Sequence, residues 1–229
     1  MAPETTATAQ ELVHTIHGML HAVEQRIRRH AYLQALEEGR IAPARLQPFL
    51  GEQCHIIPGD LRSIALLISR CAEPASQQFF RGVLLGEAAA LDALEPLATA
   101  VGMSPADRAA YEPAPGAQAY SAYLAWLCLY GSAAEVAAAL SVNFAAWGAN
   151  CGRMAQALRQ HYGWQEGDVR FFTQFATAPP NVSPQALAVI ETDLHRGVEA
   201  QLVVRAARML QGYELMFWDT VYTLSTQGV

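Results

Sequence analysis

An apolar stripe with helical spacing runs through residues 47–70, and it carries two polar side chains. When the segment is read as a helix, one face presents, three to four residues apart, Phe49, Gln53, Ile56, Asp60, Ile64 and Leu67. Pro58 lies between the two polar positions and removes one backbone N–H, so we expect a kink or a looser turn there. A helix of this kind, with polar groups turned inward, predicts a cavity inside a helical bundle.

The rest of the chain has the same periodicity, and no strand pattern persists. We therefore predict an all-α bundle of about seven helices in one domain over residues 1–229, with residues 1–8 disordered. The last predicted helix is continuous over residues 183–224. Ser183 is its N-cap and Pro184 is its first residue. The segment 178–184, APPNVSP, predicts a break before it.

Composition excludes several classes of protein. The chain is 52% hydrophobic and 16% charged, which is too apolar for a disordered protein, and its net charge of −6 argues against a nucleic-acid surface. Residues 113–134 carry no charge, but proline and glycine residues interrupt the run, so we interpret it as a buried helix and not as a membrane span. Four cysteines without CxxC spacing indicate free thiols in the cytoplasm.

Polar residues interrupt the apolar stripes of three further helices. Glu87 is the only charge on the stripe of the helix predicted at 75–101, Asn143 faces inward from the helix at 132–162, and Glu214 flanks the stripe of the last helix. Such groups either satisfy one another or line a small-molecule site. On the second interpretation Glu87 and Glu214 are the catalytic acid and base, with pKa values that burial raises. The predicted substrate-binding residues are Gln53, Asp60, Asn143, Trp147, Tyr213 and Trp218.

Three segments resemble the TenA/THI-4 (thiaminase II) family. The segment HAYLQALEEGRI (30–41) is similar to the family's HPFxxALxxGxL, FLGEQ (49–53) lies where the family has YxxQD, and YELMFWDTVY (213–222) resembles its closing YExxFWxxAY. In addition, QCHIIPGDLRS (53–63) is similar to the QxxxIPxD pattern of the PqqC/CADD-like branch. The resemblance covers residues 20–224 and implies the haem-oxygenase-like helical bundle. It also implies a homodimer or homotetramer.

The resemblance transfers the family's catalytic residues only in part. Glu214 matches the C-terminal Glu of thiaminase II, but Gln53 stands where the family has the Asp that binds the pyrimidine. Val142 lies near the position of the nucleophilic Cys, and Cys151 follows nine residues later, about 2.5 turns further along the helix. Because a valine side chain cannot act as a nucleophile, the usual covalent chemistry of thiaminase II is not expected here.

The metal site of the diiron branch is also incomplete. Leu94 stands seven residues after Glu87, where that branch has a His, and the segment FFTQFATAPP (171–180) contains no His. His21 with Glu24 has only a faint similarity to the haem-binding His of haem oxygenase. We therefore predict no metal ligands and no cofactor, although the binding of iron by an incomplete set of ligands remains an open alternative.

Three functions remain as hypotheses. The first is a divergent TenA-like enzyme that hydrolyses an aminopyrimidine or a related heteroaromatic by carboxylate acid/base chemistry. The second is an oxidase of the PqqC/CADD-like kind, either metal-dependent or cofactorless. The third is a non-catalytic small-molecule binder that kept the fold. In each case the expected partner is a small molecule, and neither a nucleic acid nor a membrane.

Overall fold

The computed structural model describes residues 8–177 and 183–226, and within these ranges the chain is helical with no strand. It forms α1 (Ala9–Arg28), α2 (Ala31–Glu37), a 3₁₀ turn (Pro43–Leu46), α3 (Gln47–Arg70), α4 (Pro74–Val101), α5 (Pro105–Ala110), α6 (Pro115–Tyr130), α7 (Ala133–Tyr162), α8 (Arg170–Ala176), α9 (Pro184–His195) and α10 (Ala200–Thr226). The all-α prediction is therefore confirmed. Disorder is predicted for residues 1–8; residues 1–7 lie outside the described residues, whereas Thr8 is described and caps α1. Most of the break at 178–184 also lies outside the described residues.

Side-chain caps begin several of the helices. Ser104 and Ser132 each accept a hydrogen bond from the backbone N–H three residues later, and the acidic residue at that third position accepts one in return. Ser183 caps α9 in the predicted place, with Pro184 as its first residue. Gly102 ends α4 in the left-handed region, where its φ of 69° carries little penalty for a glycine.

The last predicted helix is in fact two helices. The chain leaves α9 after His195, turns, and begins α10 at Ala200. Gly197 lies in this turn with a φ of 93°, in a region that a continuous α-helix does not use. The prediction of one helix over 183–224 is wrong. The apolar periodicity resumes after the turn, so the sequence pattern of the two helices resembles that of one.

The long helices α3, α4, α7 and α10 surround the interior, and α6 closes it on the side of α3 and α10. α3 continues as helix through Pro58, so the proline does not end the element. Aromatic rings fill the centre, where Trp147 packs against Phe217 and Trp218 with ring centroids 5.8 and 5.5 Å apart. None of the described helices is both long enough and apolar enough to cross a membrane.

Candidate functional site

A cavity of about 30 Å³, which we call the inner cavity, lies among helices α3, α4, α6, α7, α8 and α10. Its polar lining consists of Gln53, Asp60, Glu87, Tyr120, Asn143 and Glu214. Its apolar lining consists of Ile56, Ile57, Phe144, Trp147, Phe175 and Phe217. Six of the eight residues that the sequence analysis assigned to a site thus meet at one place, although they come from four different helices.

The other two predicted residues lie behind the cavity or away from it. Trp218 does not line the inner cavity but is fully buried, and its Nε1 donates a hydrogen bond to Glu214 Oε1 at 2.7 Å, so it supports the carboxyl group. The ring of Tyr213 instead packs on that of Tyr123, with centroids 5.2 Å apart. Successive residues of a helix point about 100° apart, which turns Tyr213 away from the cavity that its neighbour Glu214 lines.

Glu214 accepts hydrogen bonds at both of its carboxyl oxygens. Besides the bond from Trp218, Asn143 Nδ2 donates to Glu214 Oε2 at 3.2 Å. Asn143 is itself held by Tyr120, whose hydroxyl donates to Asn143 Oδ1 at 3.0 Å. Burial raises the pKa of Glu214 from its usual 4.5 to about 7, although the two donors partly oppose this rise by stabilising the ionised form. Glu214 therefore exchanges its proton much closer to neutral pH than an ordinary carboxyl group does.

Asp60 and Glu87 form a second acidic group in the cavity wall. Ser121 Oγ donates a hydrogen bond to Asp60 Oδ1, and it packs closely on Gly59, where a Cβ would lie 3.1 Å from Ser121 Oγ. Glu87 Oε2 is buried without a hydrogen-bond partner. Burial raises the pKa of both carboxyl groups, and the charge of Asp60 raises the pKa of Glu87 further. Glu87 therefore holds its proton at neutral pH more firmly than an ordinary carboxyl group does.

Three supporting residues were not predicted. Tyr120 lines the cavity, Ser121 binds Asp60, and Gln211 accepts a hydrogen bond from Asn143 at 3.2 Å. Tyr120 and Ser121 lie on α6, which is uncharged throughout and has no distinct apolar face, so its sequence does not indicate which face points inward. The only signal was the presence of tyrosine and serine within an uncharged run.

A larger cavity, which we call the outer chamber, adjoins the inner cavity. It has a volume of about 430 Å³, and it shares Glu87, Phe144 and Phe175 with the inner cavity. Its remaining lining comes from α4, α7, α8 and the start of α9. Small-molecule sites usually measure about 300–1,000 Å³, whereas a cavity of some tens of Å³ accommodates one or two water molecules. The outer chamber is therefore the part of the site with room for an organic ligand.

The residues of the site do not match a metal centre or a cysteine nucleophile. Within residues 8–177 and 183–226, no three His, Cys, Asp or Glu side chains are grouped as a metal site. None of the four cysteines lines the inner cavity or the outer chamber. Cys151 is fully buried, and burial raises the pKa of its thiol well above the usual value, so little of the reactive thiolate forms at neutral pH.

Comparison with known proteins gives one family and a set of related folds. The model of the TENA/THI-4/PQQC family matches residues 17–224. A TenA homologue from Pseudomonas syringae pv. tomato superposes with a TM-score of 0.79 at 13% identity, over 95% of this chain and 96% of that one. A TenA homologue from Pyrococcus furiosus gives 0.72 at 18% identity, over 92% of this chain and 100% of that one.

A further neighbour is a domain of unknown function with a heme oxygenase-like fold from Shewanella denitrificans. It superposes with a TM-score of 0.72 at 14% identity, over 96% of this chain and 94% of that one. At these identities the superpositions establish the fold alone. A search of curated protein sequences returned no match.

Proposed function

Because the chain belongs to the TENA/THI-4/PQQC family, we propose that it is a small-molecule enzyme that hydrolyses a planar nitrogen heterocycle, such as an aminopyrimidine. The observation that carries the proposal is the convergence of three buried carboxyl groups, from Asp60, Glu87 and Glu214, on one cavity beside a chamber of ligand size. Buried carboxyl groups without cationic partners are costly, and they concentrate at catalytic sites.

In the proposed complex the heterocycle occupies the outer chamber and the attacking water occupies the inner cavity. Phe144 and Phe175, which line both spaces, provide aromatic faces against which a flat ring packs. Glu87 also lines both spaces, so its carboxyl group reaches the boundary at which water and ring meet. A water molecule supplies the nucleophile that a cysteine supplies in thiaminase II chemistry.

The two glutamates take complementary roles because their surroundings differ. The bonds from Trp218 and Asn143 favour the ionised form of Glu214, which removes a proton from the water. The neighbouring Asp60 favours the protonated form of Glu87, which donates its proton to the leaving nitrogen. A C–O bond forms to the attacked carbon while its C–N bond breaks, and the products are an alcohol or its oxo tautomer and a free amine. Proton exchange with water then restores both glutamates.

A screen of thiamin and aminopyrimidines with the purified protein tests this proposal. Glu214→Gln and Glu87→Gln are each expected to lower kcat/KM at least about 100-fold, the usual contribution of a general acid or base. Glu95→Gln is the matched control, since Glu95 is an exposed residue of α4 that pairs with Arg108. Equal turnover by the native protein and Glu214→Gln would remove Glu214 from the mechanism. The absence of turnover for every compound would refute hydrolysis of this substrate class.

We also propose that the enzyme works in the cytoplasm as a homodimer or homotetramer. A strip of aromatic side chains supports self-association: Trp126 is half exposed, stacks on Tyr123 and packs at a tilt against Tyr130, with ring centroids 5.8 Å apart in both pairs. Tyr213 continues this strip on α10 through its contact with Tyr123. Light scattering of the native protein and of Trp126→Glu tests the proposal, because a monomeric native protein contradicts it.

A further inference from the structure

The inner cavity brings together three carboxyl groups without a cation beside them. Asp60, Glu87 and Glu214 are 3%, 7% and 3% exposed, and all three line the same space of about 30 Å³. Among the described residues of this lining there is no Arg or His. A buried carboxyl group either keeps its proton or pairs with a cation. When these groups ionise, their charge is therefore balanced only by a cation that enters the cavity.

Glu87 gives the cavity a hydrogen-bonding atom that has no partner. Its Oε2 is buried without a hydrogen bond, and the side chain lines the cavity. Gln53, which is 3% exposed, lines the same space and can accept a hydrogen bond through its amide oxygen. Unpaired buried polar atoms are uncommon in folded proteins. A small ligand that donates hydrogen bonds in several directions would satisfy both side chains.

Tyr120 shows that the three carboxyl groups act on one point. Burial, followed by the charges of Asp60, Glu214 and Glu87, raises the pKa of its hydroxyl well above the usual value. These carboxyl groups belong to α3, α10 and α4, so they act on the hydroxyl from three different helices. A negative field that opposes the ionisation of a phenol also attracts a cation. The position of greatest attraction for a cation is therefore the cavity itself.

The size and geometry of the cavity favour ammonium over other cations. A space of some tens of Å³ accommodates one or two water molecules, and ammonium has about the size of one. Within the described residues no three His, Cys, Asp or Glu side chains could hold a metal ion. Mg²⁺ and Zn²⁺ require oxygen ligands at about 2.0–2.2 Å, whereas N–H···O hydrogen bonds span about 2.7–3.2 Å. More widely spaced carboxyl groups therefore suit an ion that binds through hydrogen bonds.

From these observations we infer that the inner cavity binds an ammonium ion, held by Asp60, Glu87 and Glu214, and that this ion inhibits the enzyme. The inhibition, but not the binding, rests on the proposed function. When the leaving nitrogen is an amino group, Glu87 donates one proton to it and ammonia departs; Glu214 then passes on the proton that it took from the water. Ammonium thus forms between two ionised glutamates, and until it leaves, the next water cannot enter.

Ammonium competes with protons for this site. Burial raises the pKa of all three carboxyl groups, so the cavity is more fully ionised at pH 8 than at pH 6, and affinity for the ion should rise over this range. Burial and the charges of Asp60 and Glu214 raise the pKa of the neighbouring thiols of Cys128 and Cys151, which stay protonated. The side chains that α7 and α8 contribute to the lining do not ionise: Asn143, Phe144, Trp147 and Phe175.

Thermal unfolding in different chloride salts tests the binding without knowledge of the substrate. At pH 8, ammonium chloride should raise the Tm of the native protein by about 3 °C or more over sodium chloride at equal concentration. Tetramethylammonium, which is too large for the cavity, should give no rise, and potassium, which donates no hydrogen bond, a smaller one. The rise should shrink at pH 6 and in Glu87→Gln, but not in Glu95→Gln, an exposed carboxyl on the same helix. No rise in the native protein, an equal rise in Glu87→Gln, or a potassium effect as large as that of ammonium overturns the inference.

Nuclear magnetic resonance with ¹⁵N-labelled ammonium locates the ion independently of stability. The native protein and Glu95→Gln should each give a proton signal of bound ammonium that shows cross-relaxation with the ring of Phe217 in the cavity lining. Absence of this signal from the native protein refutes the site. If ammonium binds but no heterocycle is hydrolysed, the proposed function fails and the site stands. If a heterocycle is hydrolysed but ammonium neither binds nor slows the reaction, only the inference fails.

Discussion

Replacing Glu214 with glutamine should change how the stability of the protein depends on pH. The native carboxyl group has a pKa of about 7 in the folded protein, above its usual 4.5, because it is fully buried. A group whose pKa rises on folding stabilises the folded state most below its unfolded pKa, and this contribution is lost as the pH rises through the folded value. For Glu214 the loss extends from about pH 4.5 to just above pH 7.

The size of the loss follows from the two pKa values. A rise from 4.5 to about 7 corresponds to about 3 kcal/mol, at about 1.4 kcal/mol for each pH unit. Glutamine does not ionise, so the variant lacks this loss. The new side chain also places an amide N–H₂ group near the Asn143 Nδ2 donor. Because two donors cannot bond each other, the variant loses about 1–3 kcal/mol of its free energy of unfolding at every pH. The offset between the free energies of unfolding of the two proteins combines both terms, whereas its change with pH depends on the ionisation of Glu214 alone.

Urea unfolding at several pH values between 4 and 8, followed by tryptophan fluorescence, measures this change. The free energy of unfolding of Glu214→Gln minus that of the native protein should rise by about 3 kcal/mol across the range. Asp60 and Glu87 titrate in both proteins and cancel in the difference. Glu95→Gln, an exposed carboxyl on α4, should show no such rise. Parallel profiles for the native protein and Glu214→Gln would refute the assignment of a raised pKa to this residue.

Three further predictions concern other parts of the site and its support. Gly86→Ala should raise the free energy of unfolding by about 1 kcal/mol, as should Gly18→Ala, because both positions are helical and open; a destabilised Gly86→Ala in urea unfolding would contradict this. Trp218→Phe removes a hydrogen bond that favours ionised Glu214, so the acidic limb of the pH–rate profile should move to higher pH; an unmoved limb would argue against Glu214 as the base. Glu52→Ala should cost about 2–4 kcal/mol in thermal unfolding, because fully buried Glu52 accepts from Tyr111, Ala114 and Gln118; a native-like Tm would show that these donors find other partners.

Part of the candidate site could be found from the sequence because single polar residues stand out on apolar stripes. Gln53 and Asp60 are such exceptions on α3, Glu87 on α4 and Asn143 on α7, and all four line the inner cavity. Periodicity gives the face of a helix only to within one residue, or about 100°, which is why Tyr213 was grouped with its neighbour Glu214. The contact of Tyr213 with Tyr123 depends on how α6 and α10 pack.

Other features leave no sequence signal of this kind. α6 is uncharged and has no distinct apolar face, so its pattern does not indicate that Tyr120 faces the cavity or that Ser121 is the partner of Asp60. In the sequence, Gly82 and Gly86 indicate only that the helix is weakened at these positions. The open space beside them follows from the structure. The turn at Gly197 was hidden because the apolar spacing of α9 and α10 continues across it.

Local physical chemistry therefore decides the helical class, the capped starts of several helices and the inward position of several polar groups, since each depends on residues within a few turns of one another. The size and charge of the spaces between helices do not follow from such local rules. The water-sized inner cavity, the larger outer chamber and the raised pKa of Glu214 arise only when six helices are brought together, because burial and volume are properties of the packed chain.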